Sequence, residues 1–151
     1  MESLFEVKTA NLQLERLKNL RKDSVPLWGK MSSAQMLAHL NASFEFVFEP
    51  HTKKRPGPMK RIFLRLIVKP MVVSEKPFSR NLPTASDLKQ REEKEFETEF
   101  RRLRAFITRI GQMGSEAFEG KLHLVFGKLS AREWNHLIFK HLDHHFRQFG
   151  I

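Results

Sequence analysis

Residues 130–151 read SAREWNHLIFKHLDHHFRQFGI, and the fold follows from how this stretch is read. Ser130 is followed three residues later by Glu133, so each side chain can reach back to an orphan backbone N–H at a helix start. No Gly or Pro interrupts the stretch before Gly150. On a wheel at about 100° per residue with Trp134 at the origin, Ile138, His141, His145 and Gln148 fall within about 40° of one line. Arg132, His136, Lys140, Asp143 and Arg147 gather on the opposite side. A helix that carries two imidazoles in the middle of its apolar face needs polar partners from the rest of the chain.

Three further helices are legible. Phe96, Phe100, Leu103, Ile107 and Ile110 repeat at alternating four- and three-residue spacing, which predicts a helix over 86–110. Glu92, Glu93 and Glu95 lie in its first half and Arg101, Arg102, Arg104 and Arg109 in its second, complementing the helix dipole, with Gly111 and Gly114 as the stop. Ser32 and Gln35 form a second capping box. It opens a helix whose stripe is Met36, Leu37, Leu40, Phe44 and Val47, and Pro50 ends it. His39 lies at the margin of that stripe, beside Met36 and Ser43, facing a neighbouring helix. Val7, Ala10, Leu14 and Leu17 predict a first helix over 3–21, followed by an apolar turn in which Trp28 plugs one end of a core.

Residues 50 to 86 are irregular and punctuated by proline; Met59–Lys69 reads equally as a short basic helix or a strand. Such a long connection suits a crossover that returns the chain to the other end of a bundle. The expected architecture is all-α: one domain over 1–151, a four-helix bundle with a long crossover between the second and third helices, and no sheet. Fourteen Phe and no Tyr leave its core few polar handles.

The net charge of +10 raises the question of a nucleic-acid or anionic-membrane partner. Lys53, Lys54, Arg55, Lys60, Arg61, Arg65 and Lys69 interleave with Met59, Ile62, Phe63, Leu64 and Leu66. The competing reading is a solvated crossover whose apolar residues cap the bundle, which makes nucleic acid the weaker expectation. There is no cysteine, which excludes disulfides and thiolate metal sites. No apolar run reaches the length of a membrane span. With no targeting signal visible, a cytoplasmic location is expected. A homodimer through exposed helix faces stays open.

His141 and His145 are one turn apart on one face, a spacing that lets two imidazoles share one metal ion. His144 competes for the pairing but sits at the edge of the face. His39 is the natural third ligand because it lies within another helix; His123, in the loop before the last helix, is the reserve. The alternative is a set of hydrogen-bonded core histidines. A pair of unpartnered neutral imidazoles would cost about 1–3 kcal/mol for each polar group left unsatisfied. Position 142 is Leu, where a zinc-protease helix has its Glu, and Asp143 and Glu45 read as surface, so no catalytic base is assigned.

The segments WGKMSSAQMLAHLNA and FGKLSAREW…HLDHHFRQFG, with PTASDLKQREEKEFETE between them, resemble the DinB-like superfamily of metal-binding four-helix bundles. The nearest likeness is a small bacterial branch of it, a domain of unknown function, and it extends over nearly the whole chain. The resemblance implies a divalent metal (zinc, nickel or iron) held by His39, His141 and His145, with Gln148 at the glutamine that follows the pair. It also implies kinship with metal-assisted transferases and isomerases that use low-molecular-weight thiols. A thiol or an anionic compound is then the expected small-molecule substrate, and a thiol S-transferase or hydrolase the expected enzyme type. The alternative is a non-catalytic binding protein that uses its basic surface for nucleic acid or another anionic partner. The chain departs from the branch's usual pattern at Leu124, where relatives tend to have proline, and at Phe139, where they tend to have tyrosine.

Overall fold

The amphipathic repeats become helices, in a computed structural model that describes residues 2–83, 88–90 and 92–151. They are α1 (Val7–Leu17), α2 (Ser33–Phe48), α3 (Pro58–Phe63), α4 (Lys69–Val73), α5 (Phe96–Met113) and α6 (Ala131–Gln148). Both expected capping boxes form, Ser32 with Gln35 and Ser130 with Glu133, so α2 and α6 begin where their sequences place them. Among the described residues the chain is mostly helical, and no helix is long and apolar enough to cross a membrane.

Helices α1 and α2 pack on α5, and α2 and α4 pack on α6. Gly111, expected to stop α5, lies inside it. A Cβ there would sit 2.6 Å from that of Ala10, so the missing side chain lets α1 approach closely. Gly114, at φ +72°, ends the helix instead. Met36, Leu37, Leu40, Leu103, Ile107, Ile110, Trp134 and Phe146 fill the centre.

Several boundaries differ from expectation for physical reasons. Helix α1 is shorter than 3–21, and Val7 is exposed while Gln13 is buried. Leu4 and Phe5 enter the core from a turn. Asn135 holds that turn, accepting the Leu4 N–H at 2.8 Å and donating to the Glu2 carbonyl at 2.9 Å. Helix α5 starts at Phe96, not at Ser86, which lies outside the described residues; Glu95 is still extended. Met59–Lys69 is helical. Between α3 and α4 the ladder widens to a π turn over Leu64–Val68, where Pro70 has no N–H for the Leu66 carbonyl and its ring pushes against it.

A short sheet is present against expectation: Leu122–His123 (β1) pairs antiparallel with Gly127–Lys128 (β2). It forms because the His123 ring accepts the backbone N–H groups of Val125 and Phe126 across the turn, and Gly127 takes φ +82°. Finally, part of the polar side of α6 is covered. α4 lies on it, burying His136 and Lys140, whose side chains meet the carbonyls of Val73, Met71 and Ser74.

Candidate metal centre

The α2–α6 contact brings His39, His141 and His145 together, with one ring nitrogen of each within 4.8 Å of the others. His39 Nε2 and His141 Nε2 are 2.8 Å apart. His39 and His145 are buried, while His141 keeps a partly exposed edge.

The outer nitrogen of each ring has its own partner. His39 Nδ1 is 2.9 Å from the Leu88 carbonyl, which can only accept, so this nitrogen carries the proton. His141 Nδ1 is 3.2 Å from Ser43 Oγ, whose own proton goes to the Leu40 carbonyl at 2.7 Å. His141 is therefore the donor there. His145 Nδ1 is 2.7 Å from Gln148 Oε1. The Gln148 amide cannot be reversed, because its Nε2 donates to the Trp28 carbonyl at 2.7 Å. In their neutral forms all three rings are Nδ1–H tautomers, and the inner Nε2 atoms meet as bare lone pairs.

Protonation does not relieve that crowding. Burial lowers the pKa of His39 against the opposing pull of the Leu88 carbonyl. Burial pushes His145 down to about 3, reinforced by His39. His141 is driven well below its ordinary range by burial, then by the neighbouring rings. The cluster stays neutral and acceptor-only near pH 7. Three converging imidazole nitrogens with hydrogen-bonded backs could hold a divalent metal ion.

The loop before α2 is part of this construction. Leu27 N–H donates to the Gln148 carbonyl at 2.7 Å while the Gln148 side chain holds Trp28, so one residue clamps the turn twice. Gly29, at φ +82°, is where a Cβ would come within 2.6 Å of Gln148 Nε2.

His144 lies outside the cluster, edge-on to Trp28 and Phe78. With them it lines a cavity of about 640 Å³ whose walls include none of the three cluster histidines. Arg80 lies over the Trp28 ring at 4.4 Å in this wall. Lys140, which burial lowers to about 8, lies over Phe78 at 4.5 Å. Neither has a carboxylate partner among the described residues. His123 is also outside the cluster, stacked between Phe46 and Phe126. Asp143 and Glu45 are not free surface acids. Asp143 bridges Arg16 and Arg147 at 2.9 and 2.8 Å, and Glu45 is held by Lys53 and Arg102.

The sequence pointed to the three histidines and Gln148 but missed the other supports. Ser43 was visible as His39's neighbour on the wheel. The Leu88 and Trp28 groups are backbone carbonyls, which no side-chain pattern reveals.

No curated protein and no solved structure matches the chain. A family model described as a protein of unknown function (DUF1569) matches residues 2–150, a span that contains every residue of the histidine cluster and its supports. The chain belongs to the DUF1569 family.

Proposed function

We propose that this protein binds one divalent metal ion through His39, His141 and His145, in a four-helix bundle of DinB-like type, and that the centre serves a metal-dependent enzyme. The observation that carries the reading is the set of fixed tautomers. Each Nδ1 donates to a group that can only accept there, so three Nε2 lone pairs face one point with no proton between them. A cation satisfies all three at once, whereas the alternative leaves buried acceptors crowded and unpaired.

Zinc, nickel and iron all accept imidazole ligands. Such an ion, held by neutral ligands, keeps its charge for acidifying a bound water or stabilising a thiolate. The chain's own residues fix the ring orientations, bury His39 and His145 from water, and leave the edge of His141 open. The cavity bounded by Trp28, Phe78 and His144 gives a small molecule a place, with His144 as the link to the helix that carries His141 and His145. Arg80 is a cation in that wall, which Glu2 and Glu75 also line, and Lys140 is committed to the carbonyls at the end of α4. An anionic substrate, such as a low-molecular-weight thiol that carries carboxylates, rests on the resemblance. Transfer to a thiol or hydrolysis are the reactions this arrangement suits.

The test is elemental analysis of protein purified without a poly-His tag. Near-stoichiometric metal is expected in the wild type and in His144→Ala, and none in His39→Ala, His141→Ala or His145→Ala. A wild type that stays empty after exposure to zinc and to nickel would falsify the reading.

A further inference from the structure

The segment Pro58–Val73 carries an apolar face that none of the described residues covers. Met59, Ile62, Phe63 and Leu66 are 85%, 57%, 57% and 69% exposed, and Ile67 and Met71 are exposed beside them. On a wheel at about 100° per residue, Met59, Ile62, Phe63, Leu66 and Pro70 fall in one sector about 100° wide. Leu64, Val68 and Val72 lie opposite and are partly buried. The helix is thus apolar on both sides, a pattern proper to a helix that is covered on both sides.

The helix is also held in place. Lys69 pairs with Glu133 at 2.9 Å, and its last carbonyls take the buried Lys140 and His136 of α6. A Cβ on Gly127 would meet Arg65 Nη2 at 2.5 Å, so the hairpin packs against the π turn. The exposed stripe is therefore presented by a fixed element about 24 Å long.

Charge selects the occupant. From Pro50 to Ser74 there are seven Lys and Arg and no Asp or Glu. Lys53 and Lys69 are paired; Lys54, Arg55, Lys60, Arg61 and Arg65 have no carboxylate partner among the described residues. A second copy docking face to face would set these cations against each other. Nucleic acid would satisfy the cations but leave the apolar stripe in water. A flat surface with anionic headgroups over acyl chains satisfies both.

We propose that Pro58–Val73 docks on an anionic phospholipid bilayer, lying in the headgroup plane with Met59, Ile62, Phe63 and Leu66 inserted. The docking is peripheral and reversible, and it leaves the histidine cluster intact.

Flotation of the full chain with phosphatidylcholine vesicles and with phosphatidylcholine–phosphatidylglycerol vesicles tests this. Binding is expected to the mixed vesicles only. Ile62→Ser/Phe63→Ser/Leu66→Ser should abolish it while retaining wild-type metal content and helicity, since all three side chains are exposed. Lys54→Gln/Lys60→Gln should weaken it about fivefold per lysine. Failure of the wild type to float with mixed vesicles overturns the proposal. Undiminished binding by the triple-serine variant also overturns it, because the interaction is then simple charge adsorption. So does a wild-type dimer that the triple-serine variant dissolves without any vesicle binding, which gives the face to a second copy.

Discussion

His145 and His123 are buried to the same degree, 7% and 6% exposed, and burial depresses both imidazoles. What separates them is the role of Nδ1. In His145 that nitrogen donates to Gln148, and Nε2 is turned toward two other rings with its lone pair free. In His123 the same nitrogen accepts from Val125 and Phe126 at 3.1 and 3.2 Å, so its lone pair is spent on closing a turn. One ring is held in order to present an acceptor, and the other is an acceptor already used. Depth of burial does not separate these two histidines; the partner of Nδ1 does.

The largest expected effect separates the two through metal. An ion present at about a thousand times its Kd stabilises the native state by ~4 kcal/mol, which for a chain of this size raises the melting temperature by on the order of 10 °C. Thermal melts with and without chelator should show that difference in the wild type and in His123→Asn. They should show none in His145→Ala. A metal shift lost equally in both variants would break the comparison.

Much of this was legible beforehand because it lives in side-chain periodicity. The stripe on α6, the two capping boxes and the His141–His145 pair follow from spacing, while His39 is singled out as the histidine within another helix and by the resemblance. Two things were hidden. The late start of α5 follows from residues just before it being used differently: the Leu88 carbonyl reaches His39, and Glu95 stays extended. Helical propensity cannot register that backbone role. The wheel places His136 and Lys140 on the polar side of α6 without saying what covers them. In the fold they cap the carbonyls at the end of α4, which only the path of the crossover reveals.

The next effect concerns pH. The folded His123 pKa is lowered to about 4 by burial, while the unfolded side chain titrates at its ordinary value. Above about pH 6.5 the ring is neutral in both states and contributes no pH dependence. As pH falls below that, only the unfolded chain takes up the proton, so stability declines until the folded ring also titrates near 4. The loss across the window is about 3 kcal/mol. Asparagine at position 123 offers an oxygen acceptor to the same two N–H groups and does not titrate. Urea unfolding of His123→Asn at neutral and acidic pH should show a shallower decline than wild type. An equal decline would mean that His123 is as free to protonate folded as unfolded.

A smaller effect tests the support of the cluster while leaving its ligands in place. Gln148→Leu keeps the three histidines but removes the acceptor that fixes His145 and the donor that holds Trp28. Loss of such a partner lowers metal affinity by about 10–100-fold. Competition with a chelator of known affinity reads this directly. Unchanged affinity would reduce Gln148 to packing.

The finest test uses two glycines, one beside each histidine region. Gly29 and Gly127 both sit at φ +82°, so alanine at either position incurs a similar backbone cost, roughly 1–2 kcal/mol. Their neighbours differ. The new Cβ at 29 meets Gln148 Nε2 at 2.6 Å, and the one at 127 meets Arg65 Nη2 at 2.5 Å. Arg65 has a long side chain and can swing aside. Gln148 cannot move without releasing Trp28 or turning its oxygen away from His145. Gly29→Ala and Gly127→Ala should therefore destabilise the metal-free protein to a similar extent in denaturant. Only Gly29→Ala should weaken metal binding, by severalfold and less than Gln148→Leu, because the amide is displaced but still present. Equal metal affinity in the two variants would show that the Trp28 turn shapes the fold without steering the histidines. A selective loss in Gly29→Ala would extend the metal centre through Gln148 into a loop more than a hundred residues away in sequence.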